Sequence, residues 1–278
     1  MKHKRFIFLW VTCLFFFSGC VPTHPVVTET GQFKYIKKIN RIIRDYGLQT
    51  NIGIKVVSLK SGKTLYALNS DRLFTPASNN KLYTSLGALI LLGMDYSFET
   101  SVHYDSTFLV LKGGGDPDLT LSQLDSLAAV VASRVKSVDM LILDDTHLDS
   151  IPLGEGWMWD EGPWWYAAQI SALSVNDNVV DFIVSPGSAG ASIEVTLSPE
   201  TDYISVINNS VTVNDTTGFH ELKIERNWLH ETNDFLITGN LMDTTSVDTL
   251  YRNIEDPTMF TGTVFREILE VRNVPVKS

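Results

Sequence analysis

Two side chains in the first third of the sequence have the types and the spacing for nucleophilic catalysis. Ser78 and Lys81 stand three residues apart. On a helix, this spacing puts both on one face, so the lysine amine can hydrogen-bond the serine hydroxyl. If burial or a nearby charge lowers its pKa, the neutral amine can take the serine proton. The pair therefore predicts acyl transfer by Ser78 with Lys81 as general base, and a simple N-cap serine is the competing interpretation.

The spacing alone is weak evidence, because Ser133 and Lys136 repeat it. That second copy ends a helical pattern, and we interpret it as a solvated C-terminal turn. Ser78 has a different context. A predicted hairpin over 51–68 precedes it, and an apolar helix is predicted over 81–92. These elements are expected to hold Ser78 at the start of a helix.

The remaining periodicity predicts further helices and many short strands. Helices are predicted over 32–46, 121–135 and 257–272. Strands are predicted over 98–104, 108–112 and 138–143, and strands and turns dominate 178–240. A long loop, rich in Trp, Gly and Pro, is predicted over 144–166.

The composition fits a globular protein with a packed core, since 44% of the residues are hydrophobic and 19% are charged. The net charge is −10, and outside the N-terminus the sequence has no basic run. Such an acidic chain argues against nucleic-acid binding.

The first thirty residues are expected to be a targeting segment and a tether. A positive start and a short apolar run precede 17–20, Phe-Ser-Gly-Cys, which resembles a lipobox. We therefore expect 1–19 to be a lipoprotein signal peptide and Cys20 to carry the lipid that anchors the protein to a membrane of the cell envelope, on the periplasmic side. Residues 20–30 would form the tether. An ordinary secretory signal cut near Gly19 is the alternative.

Several blocks of sequence share their order with one known family. The blocks are 74–93, 109–120, 144–149, 156–180 and 251–270. Together they resemble the class C low-molecular-mass penicillin-binding proteins, which are D-Ala-D-Ala carboxypeptidases and endopeptidases. The resemblance implies Ser78 as nucleophile and Lys81 as base, peptidoglycan stem peptides as substrates and β-lactams as covalent inhibitors. It implies no cofactor and no metal.

The same resemblance implies the fold. The expected class is α/β (α+β), a serine β-lactamase/transpeptidase-like domain that a large β-rich insertion interrupts. Residues 31–95 would be the first part of the catalytic domain, and 96–247 would be the inserted region. Residues 248–278 would return to the catalytic domain.

The family also requires a Ser-x-Asn motif and a Lys-Thr-Gly strand after the nucleophile. Ser174-Val175-Asn176 falls within the predicted insertion, and Lys60-Ser61-Gly62 precedes Ser78 in a predicted turn. We therefore expect the catalytic domain to be truncated before these two motifs. A catalytically incomplete lipoprotein that binds peptidoglycan is the alternative function. A class A β-lactamase is a weaker alternative, because the insertion is long.

Three further clusters have a structural and a functional interpretation. Gly113-Gly114-Gly115 predicts a tight loop at a strand end rather than a phosphate loop, because no lysine follows. Asp144, Asp145 and His147 could bind a metal, but capping of the loop is favoured because no matching ligands are evident elsewhere. Four indoles are expected to attach the long loop to its domain, with stacking on glycan rings as the alternative. They are Trp157, Trp159, Trp164 and Trp165.

Overall fold

The computed structural model divides into two compact units, the first ending at Met94 and the second spanning Asp95–Ser278. This division lies one residue from the predicted boundary between 95 and 96. The proposed signal peptide, Cys20 and the tether lie outside the residues that the structure describes. The described residues are 36–46, 50–158, 160–214 and 220–278.

The first unit combines a helix with a two-stranded antiparallel hairpin. Its elements are α1 (Ile36–Asp45), β1 (Ile54–Val57) and β2 (Thr64–Leu68). Their small core is formed by Ile36, Tyr66 and Leu68, which are all buried. The Tyr66 hydroxyl also donates to Asn40 Oδ1 over 2.7 Å, which links the hairpin to α1.

A second helix, α2 (Lys81–Leu91), follows a single 3₁₀ turn at Ser78–Asn80. It ends near Gly93, whose φ of 84° lies in the left-handed region that favours glycine.

The second unit begins with a three-stranded sheet of order β3–β4–β5, in which β3 and β4 are antiparallel and β4 and β5 are parallel. The strands are β3 (Ser101–Asp105), β4 (Phe108–Lys112) and β5 (Met140–Asp144). Helix α3 (Leu121–Arg134) connects β4 to β5. A capping box between Thr120 and Gln123 fixes where this helix begins.

Short strands dominate the chain after residue 178, as predicted. They form sheets of order β13–β6–β7 and β10–β11–β8, and a β12–β9 pair. Their bounds are β6 (Val179–Ser185), β7 (Glu194–Ser198), β8 (Ser205–Asn208), β9 (Val211–Val213), β10 (Lys223–Arg226), β11 (Asp234–Thr238), β12 (Asn240–Met242) and β13 (Asp248–Asn253).

The last helix, α4 (Pro257–Val271), has Pro257 in its first turn and is capped by Asp256, whose side chain accepts a hydrogen bond from the Met259 N–H over 3.0 Å. It buries Phe260, Phe265 and several other side chains in the core of the second unit.

The structure differs from the prediction for residues 248–278, which lie in the second unit rather than with residues 31–95. β13 pairs along its length with β6, and α4 packs against α3. The Arg272 guanidinium joins these two helices through a forked ion pair with Asp125, with Nη2–Oδ2 at 2.7 Å. The helical period locates α4 but carries no information about which elements it packs against.

Candidate active site

Ser78 and Lys81 lie together where α2 begins. The 3₁₀ turn at Ser78–Asn80 runs directly into the helix, so Lys81 is its first residue. Lys81 Nζ donates a hydrogen bond to Ser78 Oγ over 3.2 Å. The contact that the spacing predicts is therefore present, with the amine as donor.

The backbone on both sides of Ser78 is fixed by local hydrogen bonds. The Ala77 N–H donates to Asn79 Oδ1 over 2.8 Å, and the Asn80 N–H donates to the Ala77 carbonyl over 3.0 Å. Both bonds tie residue 77 to the turn that follows it. The position of the serine at the helix start is therefore set by its immediate neighbours.

Both site residues are exposed, as is nearly all of α2. Even its apolar side chains Leu82 and Tyr83 leave 73% and 75% of their surface accessible. General-base chemistry needs the neutral amine, and burial favours that form of a lysine. The described residues of the first unit thus place a serine hydroxyl beside an amine, and both groups lie on an exposed surface.

The other short motifs of the sequence have structural roles. Ser174 is buried, and its Oγ accepts a hydrogen bond from Asn178 Nδ2 over 3.0 Å. Lys60-Ser61-Gly62 forms the turn between β1 and β2, with Gly62 at a φ of 69°. The Ser133 hydroxyl donates to the Val130 carbonyl of its own helix over 2.7 Å.

Two acidic residues lie at the junction of β5 and the loop that follows it: Asp144 ends the strand, and Asp145 begins the loop. Asp144 accepts hydrogen bonds from the N–H and the hydroxyl of Thr146, over 3.1 and 2.6 Å. Asp145 accepts from the Thr258 hydroxyl over 2.6 Å. The predicted capping of the loop is confirmed for Asp144, whereas Asp145 links the loop to α4. Within the described part of the chain, no three His, Cys, Asp or Glu side chains are grouped as metal ligands.

The tryptophan-rich loop is attached to β13. The Arg252 guanidinium lies 4.8 Å from the centre of the Trp164 ring, a cation–π contact. Asn253 Nδ2 donates to the Trp164 carbonyl over 3.0 Å. The predicted attachment is confirmed for Trp164, whereas Trp157 lines a cleft. Trp159 lies outside the described residues.

Most of the sequence matches the model of one protein family. The model of the D-Ala-D-Ala carboxypeptidase 3 (S13) family matches residues 35–278, which is most of the chain. The chain belongs to this S13 family. The match includes Ser78, Lys81 and the whole second unit, so the family identified from the sequence blocks is confirmed.

Curated relatives carry matching names. The chain is 35% identical over 256 residues to a D-alanyl-D-alanine carboxypeptidase of Actinomadura sp. (strain R39), an alignment that covers 86% of this chain and 47% of the relative. It is 25% identical over 262 residues to the penicillin-sensitive carboxypeptidase A of Dictyostelium discoideum, covering 83% and 49%. The chain thus spans about half the length of these relatives.

Solved structures confirm the fold class. Penicillin-binding protein 4 (DacB) of Haemophilus influenzae superposes with a TM-score of 0.65 at 18% identity, covering 81% of this chain and 51% of that one. A complex of the same protein with a β-lactam superposes with a TM-score of 0.59 at 17% identity, covering 82% and 50%. The S13 chain therefore has a penicillin-binding-protein fold. In the described ranges, no helix has both the length and the apolar character needed to cross a membrane.

Proposed function

We propose that the chain is a serine-type D-Ala-D-Ala carboxypeptidase or endopeptidase that acts on peptidoglycan stem peptides through an acyl-enzyme on Ser78. The observation that carries this proposal is the 3.2 Å hydrogen bond between Lys81 Nζ and Ser78 Oγ at the start of α2, in a chain of the S13 family. β-Lactams would acylate the same serine.

The proposed reaction has two steps. Ser78 Oγ attacks the carbonyl carbon of the penultimate D-Ala, and its proton passes to the neutral amine of Lys81. The peptide C–N bond then breaks as Lys81 passes that proton to the leaving nitrogen, so the terminal D-Ala leaves as an amine and Lys81 is neutral again. In the second step, water attacks the ester carbon and releases the shortened peptide, which restores the Ser78 hydroxyl.

Labelling with a fluorescent penicillin tests this proposal. The 278-residue chain should form a covalent adduct, and Ser78→Ala should form none. Ser133→Ala is the matched control, because Ser133 shares the Ser-x-x-Lys spacing but bonds its own helix, and it should label like the unaltered chain. Mass spectrometry of the digested adduct should locate the label on the peptide that contains Ser78.

A second candidate is favoured by the exposure of Ser78 and Lys81. In this case the chain is catalytically incomplete and serves as a lipoprotein that binds peptidoglycan. A chain that forms no Ser78-dependent adduct, yet sediments with purified peptidoglycan, would support the second candidate and contradict the first.

We further propose that 1–19 are a signal peptide and that Cys20 carries the lipid that anchors the protein to a membrane of the cell envelope. The support is the lipobox-like Phe17-Ser18-Gly19-Cys20 after an apolar run. Cells that express the chain should incorporate labelled palmitate into it, and Cys20→Ala should abolish the incorporation. Equal labelling of both forms would contradict acylation at Cys20.

A further inference from the structure

The second unit contains a cleft of about 570 Å³ that the proposed reaction does not use. It lies between the tryptophan-rich loop and the 3₁₀ turn Trp228–His230, which follows β10. Its size is within the range of small-ligand sites in proteins. The lining combines aromatic and aliphatic side chains with a group of polar ones, Gln169, Arg226, Asn253 and Glu255, which we call the floor. This combination is typical of a binding site rather than of a packing defect.

Two indoles, Trp157 and Trp228, line the cleft, and each lies directly against a glycine. A Cβ on Gly154 would come within 2.7 Å of Trp157 Nε1, and one on Gly162 within 3.2 Å of Trp228 Nε1. The glycines therefore allow both rings to approach the backbone closely. Trp157 nevertheless leaves 46% of its surface accessible, so part of the ring remains available to a ligand.

An ion pair between a buried and a partly buried side chain joins two residues of the floor. Arg226 is only 6% exposed, and its Nη1 donates to Glu255 Oε2 over 2.9 Å. Gln169 Nε2 donates to the other oxygen of Glu255. Asn253 Nδ2 donates to the Gly162 carbonyl over 3.0 Å, which fixes the adjoining loop. The polar floor is thus fixed before any ligand arrives, which lowers the entropy cost of binding.

Two polar atoms of this floor have no hydrogen-bond partner among the described residues. They are Arg226 Nε, a donor, and Asn253 Oδ1, an acceptor, and both are buried. Because both atoms lie below the accessible surface, they do not face the open cleft, which presents its carboxylates and indoles to a ligand instead.

The charges around the cleft exclude an anionic ligand. Glu161 and Glu231 line it together with Glu255, whereas Arg226 is the only cation among its lining residues. A phosphate or a free carboxylate would meet more negative than positive charge. Ionised carboxylates instead accept hydrogen bonds, and hydroxyl groups are suitable donors to them.

We propose that this cleft binds a neutral saccharide, of the class of N-acetylated amino sugars. One face of a pyranose ring presents C–H groups of partial positive charge, which match the negative face of an indole. Its hydroxyl and amide groups can donate to the carboxylates that line the cleft. The choice of N-acetylated amino sugars rests on the proposed function, because these sugars form the strands that carry stem peptides.

Calorimetric titration with an N-acetylglucosamine tetrasaccharide tests the proposal on the full chain. We expect saturable binding, and Trp157→Ala should weaken it about tenfold, since it removes one stacking surface. Trp228→Ala should have a similar effect, with its folding checked by thermal melting. Trp165→Ala is the matched control: its indole belongs to the same loop and is 57% exposed, but it does not line the cleft, so affinity should be unchanged.

Three results would overturn the proposal. They are the absence of saturable saccharide binding, an equal loss of affinity in Trp165→Ala, and tighter binding of a tri-lysine peptide, which would assign the cleft to a cationic ligand. Ser78→Ala should bind the tetrasaccharide normally, and Trp157→Ala should react normally with penicillin. Failure of the saccharide site is therefore distinguishable from failure of the acylation site.

Discussion

Asp144 illustrates how neighbouring groups set the properties of a single carboxyl. Lys112, its register partner on β4, donates from Nζ to Asp144 Oδ2 over 2.6 Å. Together with the two hydrogen bonds from Thr146, this bond lowers the pKa of Asp144 to about 2, with the Lys112 hydrogen bond as the largest cause. The carboxylate is therefore stabilised in the folded chain relative to the unfolded one.

This lowered pKa predicts a pH-dependent effect of Lys112→Met. Because the pKa of Asp144 is lower in the folded chain, the ion pair stabilises the fold fully above the ordinary carboxyl pKa of 3.8, and the stabilisation is lost as pH falls toward about 2. Urea unfolding should show Lys112→Met to be less stable at neutral pH, with a difference that shrinks in acid. The exposed Lys136→Met is the control. A difference that is constant with pH would contradict this account.

For Ser78 and Lys81, local spacing was sufficient to predict one contact. The hydrogen bond from Lys81 to Ser78 follows from helix geometry, which the sequence encodes within a few residues. The exposure of both side chains was not predictable in this way, because burial depends on elements that are distant in sequence. The catalytic roles of the pair consequently remain proposals that the labelling experiment tests.

At the scale of secondary-structure elements, Gly113 allows two backbone segments to come together after β4. A Cβ at this position would lie 2.1 Å from the Ala172 carbonyl oxygen and 2.6 Å from Leu173 Cα. The Gly113 N–H also donates to the Asp144 carbonyl over 2.9 Å, which extends the pairing of β4 with β5. The glycine triplet lies at the strand end as predicted, but residues 113–115 form no turn of their own, and Gly113 continues the strand pairing instead.

Gly113→Ala should therefore lower the free energy of unfolding of the second unit by about 1–3 kcal/mol, because backbone must move to admit the methyl group. Urea denaturation followed by circular dichroism would measure the loss. Gly87→Ala is the matched control in α2, where an added Cβ meets no atom within 4 Å. That substitution should instead stabilise its helix by about 0.5–1 kcal/mol. Equal destabilisation by both substitutions would argue against a steric cause at Gly113.

Helices were predictable element by element, but their partners were not. The predicted helices over 81–92 and 257–272 differ from α2 and α4 by a single residue at the C-terminal end, because the pattern of apolar residues is local. The assignment of 248–278 to the first unit failed because pairing of β13 with β6 joins distant segments. Likewise, Asn253 holds the tryptophan-rich loop from about ninety residues away.

At the scale of the whole molecule, the two units differ greatly in how much they bury. The second unit has 24 buried residues in one hydrophobic cluster, whereas the cluster of the first unit has three, among the described residues. All 24 lie between Leu109 and Val274. Stability rises with the apolar area that a unit removes from water, so the second unit has its own source of folding free energy.

We therefore expect residues 95–278 to fold as an independent fragment. Expressed alone, this fragment should unfold cooperatively and keep the melting temperature of the second unit within a few degrees, because its core and the side chains packed against it draw on no residue before Val102. Limited trypsin digestion of the full chain should likewise accumulate a product that begins at Leu82, because Lys81 is the last trypsin site before the second unit, while peptides from 36–81 appear early. The control is Phe265→Ala, which removes a fully buried ring and should cost the fragment about 3–5 kcal/mol. Digestion of both units at the same rate, or a fragment that unfolds without cooperativity, would contradict an independent second unit.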